Sequence, residues 1–167
     1  MEEFYVLSQL AIATAGFAAL ASLLKPKSEK TDLDYKLNLA RFYVMIELAV
    51  TVAAFGFLPA VISSFLPEGL SFRISSAIFL IFFLLIYKVV INRNKKLSGK
   101  VNIGGMHTII MRVLALISML ILLIISFGFV KPFYKESYLV ALYIIFLLSL
   151  NLFYRLIINS VGANKNE

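Results

Sequence analysis

Five apolar runs extend along this chain, and each is long enough to cross a lipid bilayer. A transmembrane helix needs about 20 predominantly apolar residues, because the hydrocarbon core of a bilayer is about 30 Å thick. The runs cover about residues 4–24, 42–66, 74–91, 109–130 and 138–158. The short stretches between them contain Pro, Gly or charged residues, which punctuate helices. The sequence therefore predicts an all-α fold with five transmembrane helices in a single membrane-embedded bundle over residues 1–167.

Composition agrees with a membrane environment. Hydrophobic residues make up 61% of the 167 residues and charged residues 15%, whereas a soluble domain has about 45–50% and about 25%. A chain this short cannot bury so much apolar surface in one globule. It contains no cysteine, which excludes disulfides, thiolate catalysis and cysteine metal sites. The sequence shows no internal repeat, so it lacks the inverted repeats of many secondary transporters.

The positive charges alternate between the two sides that five spans would create. Lys and Arg residues are frequent after the first and third runs and rare after the second and fourth. Cytoplasmic loops carry an excess of Lys and Arg, so the N-terminus is predicted outside and the C-terminus in the cytoplasm of a cell (inner or plasma) membrane. Tyrosine favours membrane interfaces: we expect Tyr5, Tyr134 and Tyr138 at the outer interface and Tyr43, Tyr87 and Tyr154 at the inner one.

A carboxylate interrupts the second run, in the sequence "RFYVMIELAV". An ionised carboxylate near mid-bilayer costs about 3 kcal/mol on insertion scales, so Glu47 needs a partner, protonation or water. At 1.5 Å per residue, Glu47 lies about 9 Å beyond Arg41. Arg112 lies about 10 Å beyond the glycines that precede the fourth run. These matched depths in the inner leaflet predict an intramembrane ion pair between Glu47 and Arg112.

The remaining polar groups of the spans are predicted in the same leaflet. They form a polar layer of Arg41, Lys88, His107, Asn151 and Arg155. In one interpretation the ion pair fixes helix packing, while long basic side chains extend to the headgroups. In the other, the layer is a hydrated vestibule of a channel or transporter, or a pocket for an anionic ligand or lipid headgroup. A proton relay through Glu47 and His107 is a weaker alternative.

The most basic stretch is "NRNKKLSGKVNIGG", which follows the third run. Arg93, Lys95, Lys96 and Lys100 make it a candidate anion-binding loop. The alternative is that these charges only hold the flanking helices in orientation. Its glycines match no known phosphate-binding pattern.

Two further patterns concern helix packing. Small residues recur at spacings of three and four in the first run: Ser8, Ala11, Ala15, Ala18 and Ser22. Such a stripe lets helices approach closely in lipid, either within the protomer or at a subunit contact or pore lining. In the second run Gly56 and Pro59 predict a kink, which is either packed or a gating hinge.

No enzymatic chemistry is indicated. The chain has one histidine, no HExxH or GxSxG motif and no pair of intramembrane carboxylates, and we expect no metal, no cofactor and no nucleic-acid binding. A slim five-helix bundle is too small to enclose a wide aqueous path. The sequence therefore favours an oligomeric ion channel or pore-forming effector, in contact with anionic lipids on the cytoplasmic side. The alternatives are an accessory or scaffold subunit with a larger membrane or cytosolic partner, or a small-solute transporter.

The segment "AGF" at 15–17, followed by "RFYVMIELAVTVAAFGFLP" at 41–59, resembles small five-span prokaryotic membrane proteins of uncharacterised function. The resemblance covers about the first 60 residues. It implies a prokaryotic membrane protein of five spans and carries no implication about activity.

Overall fold

A computed structural model describes residues 2–23, 32–98 and 106–162 of the chain, with side chains at 2–20, 38–92 and 109–158. These residues form five helices and no strand. The helices are α1 (Glu2–Leu23), α2 (Asp32–Ser63), α3 (Glu68–Ser98), α4 (Met106–Phe127) and α5 (Tyr134–Gly162). Each contains a segment long and apolar enough to cross a membrane. The described residues confirm the predicted all-α fold, with five helices that are long and apolar enough to span a membrane, as expected of a multi-pass membrane protein.

The helix ends follow local backbone chemistry. α3 begins six residues before the predicted apolar run, because the Pro67 carbonyl accepts the first helical hydrogen bonds, from the amides of Leu70 and Ser71. The acidic Glu68 in the first turn suits the positive end of the helix dipole. Helix ends therefore lie where backbone groups are satisfied, beyond the limits of the apolar run.

A glycine cap ends α4. Gly128 has φ +80°, a conformation in which residues with a Cβ are strained. Its amide bonds the Ile125 carbonyl at 2.9 Å, and the Phe129 amide bonds the Ile124 carbonyl at 3.2 Å. This pattern is a Schellman motif, which satisfies carbonyls at the end of a helix and turns the chain toward α5.

The five helices pack with α2 and α5 at the centre. Within the described residues, α2 contacts α1, α3 and α5, and α5 contacts all the other helices. The helices α2, α3, α4 and α5 form a ring in which α3 and α5 also touch across the centre, while α1 packs against α2 and α5. An ion pair between Lys135 Nζ and Glu3 Oε2, at 3.3 Å, joins α5 to α1 at one end.

Aromatic side chains fill the core at that end of the bundle. We call this the aromatic cluster: Phe4, Phe55, Phe72, Phe79, Phe83 and Tyr138. The rings of Phe55 and Phe79 are stacked with centroids 4.3 Å apart, and Tyr138 lies edge-on to Phe79 at 6.1 Å. Aromatic pairs in these geometries add to the stabilisation that comes from burial alone. The cluster brings α1, α2, α3 and α5 together.

The outer surface is apolar, as a bilayer requires. Large hydrophobic side chains are exposed on all five helices, for example Phe17 at 66% and Ile81 at 62%. Two of the tyrosines predicted at the outer interface are instead buried, Tyr134 at 7% and Tyr138 at 0% exposure. Both hydroxyls donate to backbone carbonyls, and this satisfied polar tip allows a tyrosine to enter the core. The orientation of the bundle in the membrane stays a prediction.

Candidate functional site: the basic end of the bundle

The sequence-predicted polar residues lie at one end of the bundle, opposite the aromatic cluster. We call it the basic end; α2 and α4 begin there, and α1, α3 and α5 end there. The Ser149 hydroxyl on α5 donates a hydrogen bond to the Met45 carbonyl on α2, at 3.0 Å. These two residues therefore lie at the same level of the bundle. Glu47 lies two residues deeper on α2, and Asn151 lies two residues nearer the end of α5.

Glu47 is half-buried on α2. The Thr51 hydroxyl one turn later donates to its backbone carbonyl. Arg41, about 9 Å toward the start of the helix by the 1.5 Å rise, is also half-buried, and its Nη1 donates to Asn38 Oδ1 at 3.2 Å. A basic residue therefore precedes the half-buried carboxylate on the same helix.

The structure does not bring Glu47 and Arg112 together. Arg112 is exposed on the surface of α4. In the part of the chain that the structure describes, α2 and α4 make no contact, because α5 lies between them. Their predicted match in depth stays a prediction, and their helices are not neighbours. Their ion pair has no support from the packing and stays a prediction.

Asn151 and Arg155 lie one turn apart on α5, so they occupy one face of the helix. Both are half-buried. The Oδ1 atom of Asn151 is buried and has no hydrogen-bond partner among the described residues. An unsatisfied buried polar atom costs about 1–3 kcal/mol, so this oxygen needs a donor from beyond the described residues, such as water. Lys88 on α3 is exposed at the same end.

The predicted basic loop is partly helical. α3 continues to Ser98, so Arg93, Lys95 and Lys96 belong to a helix. The reason is local, since no Pro or Gly occurs between Lys88 and Ser98 and Lys and Arg favour helices. The side chains of these three residues, and Lys100 as a whole, lie outside the described residues. His107 is in the first turn of α4, and its side chain is likewise outside the described set.

The small-residue stripe of α1 packs within the protomer. Ser8, Ala11 and Ala18 are buried, and the Ser8 hydroxyl donates to the Ala53 carbonyl of α2 at 3.2 Å. A Cβ added to Gly56 would overlap the Ser8 hydroxyl oxygen, so the glycine permits the close approach of α1 to α2. Ala15 is half-buried, and the side chain of Ser22 lies outside the described residues.

The backbone around Gly56 and Pro59 accepts hydrogen bonds from two neighbouring helices. The Ser71 hydroxyl of α3 donates to the Pro59 carbonyl at 2.7 Å. The Tyr138 hydroxyl of α5 donates to the Phe55 carbonyl at 2.9 Å. α2 continues through the proline to Ser63. These bonds favour the packed alternative; a gating role stays untested. Sequence reasoning missed Tyr138, although the proline was a signal, since it leaves one upstream carbonyl without a helical donor.

Metal coordination finds no candidate in the structure. Among the side chains described at 2–20, 38–92 and 109–158, no three His, Asp or Glu residues are grouped as metal ligands would be. Comparisons of the chain with protein-family models, with curated proteins and with solved structures found no match. The physical arrangement of the side chains is therefore the basis for any functional proposal.

Proposed function

We propose that this protein is a non-enzymatic ion channel of a cell membrane that works as a homo-oligomer, with a permeation path between the copies. The observation that carries the proposal is a polar amide, Gln9, on the outward face of α1. The basic end would form the vestibule of the path. This proposal also accounts for the packed interior of a single copy.

The aromatic cluster argues against a path through one protomer. Phe4, Phe72, Phe79, Phe83 and Tyr138 are each at most 2% exposed, and their rings pack against one another in the core at their end of the bundle. An ion would have to separate these rings and break the bond between the Tyr138 hydroxyl and α2. A path along the outer surface of several copies needs no such rearrangement.

Gln9 is exposed on α1 and has no hydrogen-bond partner in the described parts of the chain. It lies about 10 Å along the helix from Glu2, inside the apolar segment. An amide without a partner in hydrocarbon costs several kcal/mol. Because an amide both donates and accepts, Gln9 of one copy can satisfy Gln9 of another.

The surface around Gln9 suits a close contact. Ala13 and Gly16 follow at spacings of four and three, so they lie on the same face. Both are exposed, and a Cβ added to Gly16 would meet no atom within 4 Å. Small residues let backbones approach in lipid, where packing drives helix association. α1 is also the least apolar of the five spans, as expected for a helix that is partly shielded from lipid.

The basic end would supply a hydrated entrance. Asn151 has a buried oxygen that needs a donor, and Glu47 and Arg155 are half-buried nearby in depth. Water reaching these groups would satisfy the amide and solvate the charges. A permeating anion would be attracted by the excess of basic side chains at this end.

The test combines oligomer size with ion flux. Wild-type protein and Gln9→Leu would be analysed by native mass spectrometry in mild detergent and by flux from liposomes. We expect the wild type to be oligomeric and conducting, and Gln9→Leu to lose both properties. Leu120→Ile, an exposed position on α4, is the control and should retain both. Conduction by a monomeric Gln9→Leu variant would contradict the path between copies, and a silent wild type would contradict the channel.

A second candidate is an accessory or scaffold subunit. The same Gln9 face favours it, because the helix of another membrane protein can satisfy the amide as well as a second copy can. This function predicts a monomer in isolation, no flux, and co-purification with a larger membrane protein that is lost in Gln9→Leu.

A further inference from the structure

Two exposed cations lie at matched depth on the neighbouring helices α3 and α4. Near the aromatic cluster these helices are joined by a hydrogen bond from Arg73 Nε to the Ser126 carbonyl, at 3.4 Å. Lys88 lies 15 residues further along α3, and Arg112 lies 14 residues back along α4. At 1.5 Å per residue these steps are about 22 Å and about 21 Å. Because the helices are antiparallel, both residues reach the same level at the basic end.

The two side chains also share a side of the helix pair. At 3.6 residues per turn, Lys88 is rotated about 60° around α3 from the Arg73 contact, and Arg112 about 40° around α4 from Ser126. Both are exposed, so both have turned from the contact line toward the outer surface. Packed helices are about 8–10 Å apart, a distance that two long basic side chains can bridge to one common ligand.

Neither cation is neutralised by a side chain that the structure describes. Within the described residues, Lys88 and Arg112 have no ion pair and no hydrogen bond from their side chains. Lys88 lies five residues before Arg93, and Arg112 lies five residues after His107, so each is about 7 Å inside the charged end of its helix. Two like charges at this level repel each other, and an anion between them would stabilise both.

The surface one turn deeper is apolar. Leu84 lies one turn before Lys88, and Leu116 lies one turn after Arg112; both are exposed, at 47% and 56%. The two leucines lie on the outer side of the α3–α4 pair, nearer the middle of the membrane than the two cations. A ligand for this place is therefore anionic at one end and aliphatic at the other.

We propose that Lys88 and Arg112 together bind the phosphate group of an anionic phospholipid, whose acyl chain lies along Leu84 and Leu116. Arg112 provides a planar guanidinium that can bind two phosphate oxygens, and Lys88 adds a compact second charge. Zwitterionic lipids share the phosphate but carry a compensating ammonium, so they bind more weakly. The site does not depend on the proposed channel, because it lies on the surface of one protomer.

Native mass spectrometry with defined lipids tests the site. Purified protein would be titrated with phosphatidylglycerol and, separately, with phosphatidylcholine. Each basic residue near an anionic surface contributes about 1 kcal/mol. We therefore expect the binding constant for phosphatidylglycerol to fall about 5-fold in Lys88→Gln or Arg112→Gln and about 30-fold in the double variant. Phosphatidylcholine binding should change little.

Matched controls separate a defined site from general attraction. Lys131→Gln removes an exposed charge from the opposite end of the bundle and should retain wild-type binding. The charge-conserving exchanges Lys88→Arg and Arg112→Lys should also retain it, and they test the site if the double variant does not fold. Equal losses in all the neutralised variants would overturn the site. Displacement of the lipid by millimolar inorganic phosphate would assign the site to free phosphate instead.

Discussion

The Tyr138 hydroxyl donates a hydrogen bond of 2.9 Å to the Phe55 carbonyl, the one that Pro59 leaves without its helical donor. In an uninterrupted helix the amide of residue 59 would bond the carbonyl of residue 55, but proline has no N–H. α5 supplies the missing donor from a fully buried tyrosine. A defect in one membrane helix is thus corrected by its neighbour, and the two helices are held in register.

Replacing Tyr138 by phenylalanine should destabilise the protein through this single bond. A buried carbonyl left unsatisfied costs about 1–3 kcal/mol, so we expect Tyr138→Phe to lower the free energy of unfolding by about 1–2 kcal/mol. Tyr134→Phe, whose hydroxyl bond to Gly128 is longer at 3.3 Å, should cost less. The free energy of unfolding would be measured in bicelles by steric trapping.

A second substitution identifies the cause. Pro59→Ala restores an amide at position 59, and in the Tyr138→Phe background this amide can bond the Phe55 carbonyl. We expect the double variant to regain most of the stability lost in Tyr138→Phe. If Pro59→Ala gives no recovery, the loss comes from packing around the tyrosine ring. The claim that the Tyr138 hydroxyl replaces the amide missing at Pro59 would then be wrong.

The contact between α1 and α2 depends on the absence of a side chain at Gly56. A Cβ there would overlap the Ser8 hydroxyl oxygen and lie 3.2 Å from the Phe4 carbonyl. Overpacking costs about 1–3 kcal/mol, and we expect Gly56→Ala to lower the free energy of unfolding by that amount. Ser8→Ala should recover part of the loss, because it removes the overlapping oxygen.

Gly16→Ala is the matched control for this contact. Its Cβ would meet nothing within 4 Å, so the stability of the monomer in detergent should not fall. A loss of similar size in both glycine variants would mean that a general effect, such as impaired membrane insertion, explains it and that the close approach at Gly56 does not.

The absence of cysteine allows a direct test of orientation. Phe65 and Phe129 are 84% and 78% exposed in the turns at the same end of the bundle. With the N-terminus outside, Phe65→Cys and Phe129→Cys should react with an impermeant maleimide in intact cells. Asn102→Cys, between α3 and α4, should react only after permeabilisation. The reverse pattern would invert the orientation, and labelling of Phe65→Cys and Phe129→Cys from different sides would contradict the five-span fold.

The helices were predictable from the sequence because a bilayer permits few alternatives. Backbone groups in hydrocarbon must be bonded within the segment, so every long apolar run becomes a helix. Helix ends were less predictable: α3 starts at Glu68 because of Pro67, and it continues to Ser98 because its basic residues favour helix. The part of a helix that extends into water consists of polar residues, so a search for apolar runs does not detect it.

The position of a residue along its helix was also predictable, whereas the lateral arrangement of the helices was not. The rise per residue places Glu47, Arg112 and Asn151 toward one end from the sequence alone. Which helices are neighbours depends on the fit of all their surfaces at once. Tyr138 illustrates the same limit, because its place at a helix start suggests an interface, and only the packing of α2 against α5 shows that it is buried.

This distinction leads to a prediction about Glu47 and Arg112. Since α5 lies between their helices, we expect the effects of Glu47→Gln and Arg112→Gln on the free energy of unfolding to add within about 0.5 kcal/mol, as they do for residues without shared partners. A double-mutant cycle in bicelles measures the coupling, and the Tyr138–Pro59 cycle is the positive control. Recovery of 1 kcal/mol or more in the double variant would support the ion pair that the sequence predicts. It would also mean that α4 approaches α2.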